Sequence, residues 1–244
     1  MGNAQTVIGN FLFPLKCVFC GEILSIGTET NAAICNNCQK TLPYCINLPR
    51  CKSCGKPIEE TDSYCNVCRK HTRPPFAKIC APYLYNNLVK KSIVRFKQER
   101  YQSYAKVFAR HMVAILAYDC PGITFDAVIS VPPRKRLFGQ NGYNQAERLA
   151  QEVAFHLQIP FLAGVLKQKK RRKKQSSLGA KERWQNAAGN VTVTKPKTVE
   201  GKTLLLVDDV TTTGATLYAC SLALKQQGAA KIYCLTAATT EKGV

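Results

Sequence analysis

Apolar positions change their spacing repeatedly after residue 75, and each change predicts an element. Phe76 to Tyr85 reads as extended structure, and Leu88 to about Leu116 as helix with an irregularity near Glu99 to Ser103. Phe125 to Val131 is a short apolar strand closed by Pro132-Pro133. Asn144 then stands as a helix cap, with Glu147 three positions on to complete a capping box. Ala146, Leu149, Ala150, Val153, Ala154 and Leu157 fall on one face of that helix, which Pro160 ends. Further strands are expected at Val165-Leu166 and Val191 to Thr194. Thr203 to Val207 is a continuous apolar run of the kind buried on both faces of a sheet. Ala215 to Gln227 predicts a helix stopped by Gly228, and Lys231 to Ala237 another strand. This alternation specifies an α/β domain with a mainly parallel sheet.

The first third of the chain lacks these periods and carries cysteine instead. Ten of the thirteen cysteines lie between Cys17 and Cys80, eight of them as four Cys-x-x-Cys pairs: Cys17/Cys20, Cys35/Cys38, Cys51/Cys54 and Cys65/Cys68. Two intervening residues let both sulfurs of a pair turn toward one tetrahedral centre, and a second pair ten to twenty residues on completes it. Fourteen residues separate Cys20 from Cys35 and ten separate Cys54 from Cys65, so two structural zinc ions are the simplest count. The spacing leaves open which pairs share an ion. In Cys54-Gly55-Lys56, glycine permits the tight turn of a thiolate knuckle and lysine moderates thiolate charge. An odd cysteine total and a spacing repeated four times favour zinc over a disulfide framework. Few large aliphatics lie between the pairs, so metal binding would contribute to folding. Cys45 and Cys80 fit neither set, and His71 reads as a linker residue. The organisation expected is an N-terminal segment at 1–13, a cysteine-rich zinc module at 14–71, a stiff linker at 72–75 and the α/β domain at 76–244.

Composition adds a partner class. The chain of 244 residues is 45% hydrophobic and 20% charged, a globular balance, yet 35 Lys and Arg face 15 Asp and Glu for a net charge of +20. Nucleic acid, a membrane surface and a phosphorylated small molecule all suit that charge. No run of 18 apolar residues is present, so no transmembrane segment is expected and the cytoplasm is the default compartment.

The densest chemistry is in Leu204 to Thr216. A buried strand delivers Asp208 and Asp209 to its carboxyl end, and Val210-Thr211-Thr212-Thr213-Gly214-Ala215-Thr216 turns directly into a helix. Backbone NH groups at that helix start, the small Gly214 and the threonine hydroxyls form a cradle for phosphate. The acids beside it suit ribose hydroxyls, which need acceptors, and magnesium on a diphosphate, which favours oxygen ligands. The lysine of a nucleotide P-loop is missing, because Ala215 follows the glycine. No Ser-His-Asp constellation emerges, and His111 and His156 sit in apolar helical contexts.

At these residues the segment resembles the signature of type I phosphoribosyltransferases. The whole chain resembles the ComF family, proteins associated with competence for DNA uptake that join a zinc module to such a domain. The four cysteine pairs carry the likeness, with Arg95-Phe96-Lys97, Val131-Pro132-Pro133, Gly142-Tyr143-Asn144-Gln145-Ala146, Gln175 with Leu178, and Arg183 with Asn186. The resemblance implies binding of 5-phosphoribosyl-1-diphosphate with magnesium and ribosyl transfer to a nucleophile. It implies that Asp208 and Asp209 hold the ribose hydroxyls and that Thr211, Thr212, Thr213, Gly214, Ala215 and Thr216 hold the 5′-phosphate. Arg134, Lys135 or Arg136 would supply charge to the diphosphate, and Arg95 and Lys97 would lie near the cleft. Asn141 stands where the family usually has arginine, and Gln168 and Arg172 replace its usual Arg and Thr, so binding is better supported than turnover.

Lys167 to Lys174 reads KQKKRRKK. As a hood over the site it would raise local phosphate affinity and exclude water. As a nucleic-acid contact it would give salt-sensitive, sequence-independent binding, and as a mere surface it would be solvated. Two function classes follow: a phosphoribosyltransferase, or a zinc-containing accessory protein that engages single-stranded DNA and the competence machinery.

Overall fold

The apolar run at 204–207 becomes the middle of a parallel sheet. In the computed structural model, which describes residues 14–25, 33–70, 74–99, 102–133, 144–169 and 190–241, the strands are β1 (Lys78–Cys80), β2 (Tyr83–Leu84), β3 (Ala127–Ser130), β4 (Leu166–Gln168), β5 (Val191–Val193), β6 (Thr203–Thr211) and β7 (Lys231–Thr239). The helices are α1 (Asn36–Thr41), α2 (Asn66–Lys70), α3 (Asn87–Glu99), α4 (Gln102–Asp119), α5 (Gln145–Leu157) and α6 (Ala215–Gln226). The main sheet runs β1-β7-β6-β3, all parallel, and β2 continues the β1 edge along β7. β4 and β5 form a separate antiparallel pair.

Side chains of β6 alternate between two cores, as the pleat requires. Leu205 and Val207 face α3, α4 and α5, through Phe96, Phe108 and Leu149, while Leu204 and Leu206 face α6, through Leu217, Cys220 and Leu224. The four aliphatics are 0% exposed, which accounts for an unbroken apolar run.

The cysteine-rich module is built into both cores. Phe19, beside Cys20, packs edge-on against Tyr83 and Phe108 with centroids 5.3 and 5.7 Å apart, and Ser92 Oγ of α3 donates to Val18 O at 2.6 Å. On the opposite face Cys51 and Cys54 join Phe76 and Ile79, and Ile79 N donates to Ser53 O at 2.9 Å. A sheet edge left bare would invite pairing with another chain; here the module covers it. Arg50 makes two bonds to Asp119 at the end of α4, at 2.7 and 2.8 Å, and Lys78 joins the same carboxylate at 3.3 Å.

Two expectations change in detail. The capping box at α5 does not form: Asn144 makes no cap bond, and its Nδ2 instead donates to Val131 O at 3.5 Å, tying the helix start to the end of β3. β6 also continues through the acids to Thr211, because β7 pairs with it as far as Thr211 opposite Thr239. Arg134, Lys135, Arg136, Asn141 to Tyr143, Arg172, Gln175, Leu178, Arg183, Trp184, Asn186 and Lys170 to Lys174 lie outside the described residues.

Candidate functional site

Each zinc site is built from two local turns. Cys17 to Gly21 and Cys51 to Gly55 are tight turns in which the glycine NH donates to the first cysteine's carbonyl, at 2.9 and 3.0 Å. Gly21 at φ 86° and Gly55 at φ 68° provide the left-handed backbone this needs. The second pair in each site opens a short helix, α1 or α2, where Cys38 N donates to Cys35 Sγ at 3.4 Å and Cys68 N to Cys65 Sγ at 3.5 Å. The pairs combine in chain order: Cys17, Cys20, Cys35 and Cys38 form one tetrad and Cys51, Cys54, Cys65 and Cys68 the other, with all sulfurs in each within 4.8 Å.

That spacing fits the metal. Zinc–sulfur bonds of about 2.3 Å in a tetrahedron place sulfurs about 3.8 Å apart, and Cys20–Cys35 and Cys54–Cys65 are each at 3.6 Å. Burial raises the Cys17 thiol, but NH groups of Cys20, Cys35 and Phe19 outweigh it and bring it down to about 7. Burial and the neighbouring sulfurs push Cys38 upward. Four crowded thiolates therefore require a cation between them, and four ligands without an open position make each site structural.

The second tetrad stands against the candidate phosphate loop. Gly214, at φ 76° and ψ 0°, caps α6 without a side-chain bond, and Ala215 N is held by Thr213 Oγ1 at 3.3 Å. Thr240, the residue after β7, pins the loop, its N donating to Thr211 O at 3.2 Å and its Oγ1 to Thr212 O at 3.4 Å. Thr212 is exposed, Thr213 to Thr216 are half-buried, and Thr211 is buried. Thr211, Thr213 and Gly214 wall a small pocket whose other side is Cys54, Lys56 and Cys65. Lys56, a companion of the thiolates by its place in the Cys54-Gly55-Lys56 knuckle, thus also faces the loop, a placement that nothing local in the sequence marks.

Asp208 and Asp209, adjacent in β6, diverge to opposite faces. The Asp208 charge reaches Cys220 and Cys234 on the α6 side, where burial first and then this charge raise both thiols, Cys234 to about 12. Asp209 lies on the α3 side and pairs with Lys97 Nζ at 2.6 Å. Each also accepts from the backbone, Asp208 Oδ1 from Asp209 N at 2.8 Å and Asp209 Oδ1 from Val210 N at 2.7 Å. Of the Arg95-Phe96-Lys97 group, Lys97 thus meets the acids, Phe96 is core, and Arg95 donates to Phe19 O at 3.1 Å. Arg95 links α3 to the first zinc turn.

These features define a phosphoribosyltransferase-type α/β domain fused to a double zinc module. Residues 141–243 match the phosphoribosyl transferase domain and residues 8–69 the double zinc ribbon domain. Competence protein F of Haemophilus influenzae is 30% identical over 226 residues, covering 90% of this chain and 95% of that protein. Competence protein ComFC of Bacillus subtilis is 26% identical, covering 91% and 93%, and DNA utilization protein YhgH of Salmonella typhimurium 26% identical, covering 91% and 96%. The chain belongs to the ComF family of competence proteins. Among solved structures, the allosteric regulatory enzyme of purine biosynthesis aligns with 53% of this chain and 25% of its own, at 20% identity and a TM-score of 0.34. No helix among the described residues is long and apolar enough to cross a membrane.

Proposed function

We propose that the protein binds 5-phosphoribosyl-1-diphosphate with magnesium at the carboxyl end of β6 and transfers the ribosyl phosphate to a nucleophilic acceptor, in the service of DNA uptake. The observation that carries this reading is one strand, turn and helix that presents two carboxylates and then a glycine-capped, hydroxyl-rich helix start. A phosphate at Thr212 to Thr216 would be met by NH and OH donors and the positive end of α6. Asp208 and Asp209 would accept from the ribose hydroxyls, and Lys97 would release Asp209 in part as the sugar enters. Carboxylate oxygens with substrate phosphates are the donor set magnesium takes, so these residues fit the ion; when bound it would neutralise the diphosphate. Arg134, Lys135 and Arg136, next after Pro133, would add charge to the leaving group. In the transfer the ribose C1–oxygen bond to diphosphate breaks, C1 bonds to the nucleophile, and the diphosphate departs with the electron pair.

A second reading, a zinc-containing accessory protein that binds single-stranded DNA while the domain senses ligand, is favoured by the net charge of +20. It is favoured also by relatives called competence and DNA utilization proteins. An acceptor screen with the diphosphate sugar and magnesium, with and without single-stranded DNA, separates the two. Diphosphate release lost in Asp208→Asn/Asp209→Asn favours transfer. No release by the parent over a broad panel, with DNA binding intact in the mutant, favours the accessory reading.

A further inference from the structure

We propose that Lys56 of the second zinc ribbon is a phosphate-binding residue of the sugar-phosphate pocket, so that the ribbon completes the cradle begun by α6. The inference rests on the phosphosugar reading above and names a residue that the loop signature does not contain. Lys56 is 7% exposed and lines the same pocket as Thr211, Thr213 and Gly214. Among the described residues its ammonium group has no hydrogen bond or ion pair. The stem is packed away while the ammonium is not among the fully buried unpartnered atoms, so the charge keeps access to the pocket's opening, where an anion can meet it. Four thiolates around one zinc leave the adjacent tetrad net negative, which holds the ammonium beside the pocket, and the loop across it opens α6, whose start favours an anion. A phosphate seated on the loop would meet this ammonium from the ribbon side.

The backbone holds Lys56 in place. Cys51 N donates to Lys56 O at 2.8 Å and Gly55 N to Cys51 O at 3.0 Å, closing the knuckle. A β-carbon on Gly55 would stand 2.3 Å from Ile79 O, so the knuckle lies directly on β1 and no side chain separates the two. The ammonium is thereby carried to the loop by a turn that two hydrogen bonds and a zinc site make rigid, the pre-organisation that anion binding rewards.

The test is calorimetry of the zinc-loaded full-length chain with ribose 5-phosphate, which has the 5′-phosphate and lacks the diphosphate. Lys56→Met places an apolar chain among Phe76 and Ile79, so the fold and the zinc content are expected to match the parent. Its affinity for ribose 5-phosphate is expected to fall about tenfold or more, a charge-assisted hydrogen bond being lost. Lys56→Gln, which keeps a donor without the charge, should fall by an intermediate factor and carries the test if the methionine variant fails to fold. Affinity unchanged in these variants overturns the assignment, as does a loss that merely parallels loss of zinc. A parent that binds neither ribose 5-phosphate nor 5-phosphoribosyl-1-diphosphate removes the phosphosugar reading itself, and this assignment with it.

Discussion

Arg50 and Asp119 give the sharpest test of how the zinc ribbons are joined to the sheet. The pair is bidentate, at 2.7 and 2.8 Å, and its side chains are 11% and 3% exposed. Burial works against the Arg50 cation, but the bond to Asp119 and its charge outweigh that and hold the guanidinium charged. Asp119→Leu would leave a buried cation whose Nε already lacks a partner, and the expected cost is about 3–5 kcal/mol. Arg50→Met leaves the carboxylate with Lys78 Nζ at 3.3 Å and should cost less, about 2–4 kcal/mol. The double variant removes both charges from the interior, so it should recover part of the sum, with a coupling of about 2 kcal/mol. Urea titration of zinc-loaded protein followed by circular dichroism measures all four free energies, and a melting shift of roughly 10 °C for Asp119→Leu offers a second reading. Single-variant costs below about 1 kcal/mol, or an additive double variant, would refute the reasoning, because surface pairs behave that way.

Protein purified without added zinc should contain two equivalents by metal analysis, and chelation should lower its stability; a single equivalent would contradict the two tetrads. Gly55→Ala should destabilise the fold by more than about 2 kcal/mol in the same urea assay, since the new methyl meets the Ile79 carbonyl at a backbone angle alanine avoids. Burial and the Arg110 charge lower His111 to about 4, so the folded chain keeps it neutral, bonded to the Tyr83 hydroxyl, while the unfolded chain takes up a proton near 6.5. Stability should therefore be insensitive to this group above about pH 7.5 and fall by on the order of 3 kcal/mol between pH 6.5 and 4, a slope that His111→Gln should flatten.

The parts of this protein that were legible in its sequence are those whose cause is local. Four cysteine pairs announce their ligand geometry because two residues set the distance between sulfurs. The acids and the Thr-Gly turn are likewise contiguous, and Leu204 to Val207 reads as a buried strand because it is apolar on both faces. What the sequence concealed depends on partners far along the chain. Asn144 looks like a capping residue until β3 brings the Val131 carbonyl to its amide. The strand could not be extended past Val207 without knowing that β7 follows it to Thr239. Arg50 and Asp119, 69 residues apart, carry no mark of pairing, and neither does Ser92 with Val18. Arg95 and Lys97 share one motif, yet α3 sends one to the zinc turn and the other to Asp209. Lys56 reads only as the lysine that moderates thiolate charge in its knuckle until the ribbon is placed beside α6.

The central claim is that the carboxyl end of β6 is a phosphoribosyl-diphosphate site, and direct binding tests it without knowledge of the acceptor. Titration calorimetry of zinc-loaded protein with 5-phosphoribosyl-1-diphosphate and magnesium should give one site per chain. In Asp208→Asn/Asp209→Asn, folded and with both zinc ions retained, the affinity should fall by about a hundredfold, two charge-assisted contacts being weakened. Binding of equal strength in parent and mutant, or none in the parent, would contradict the account.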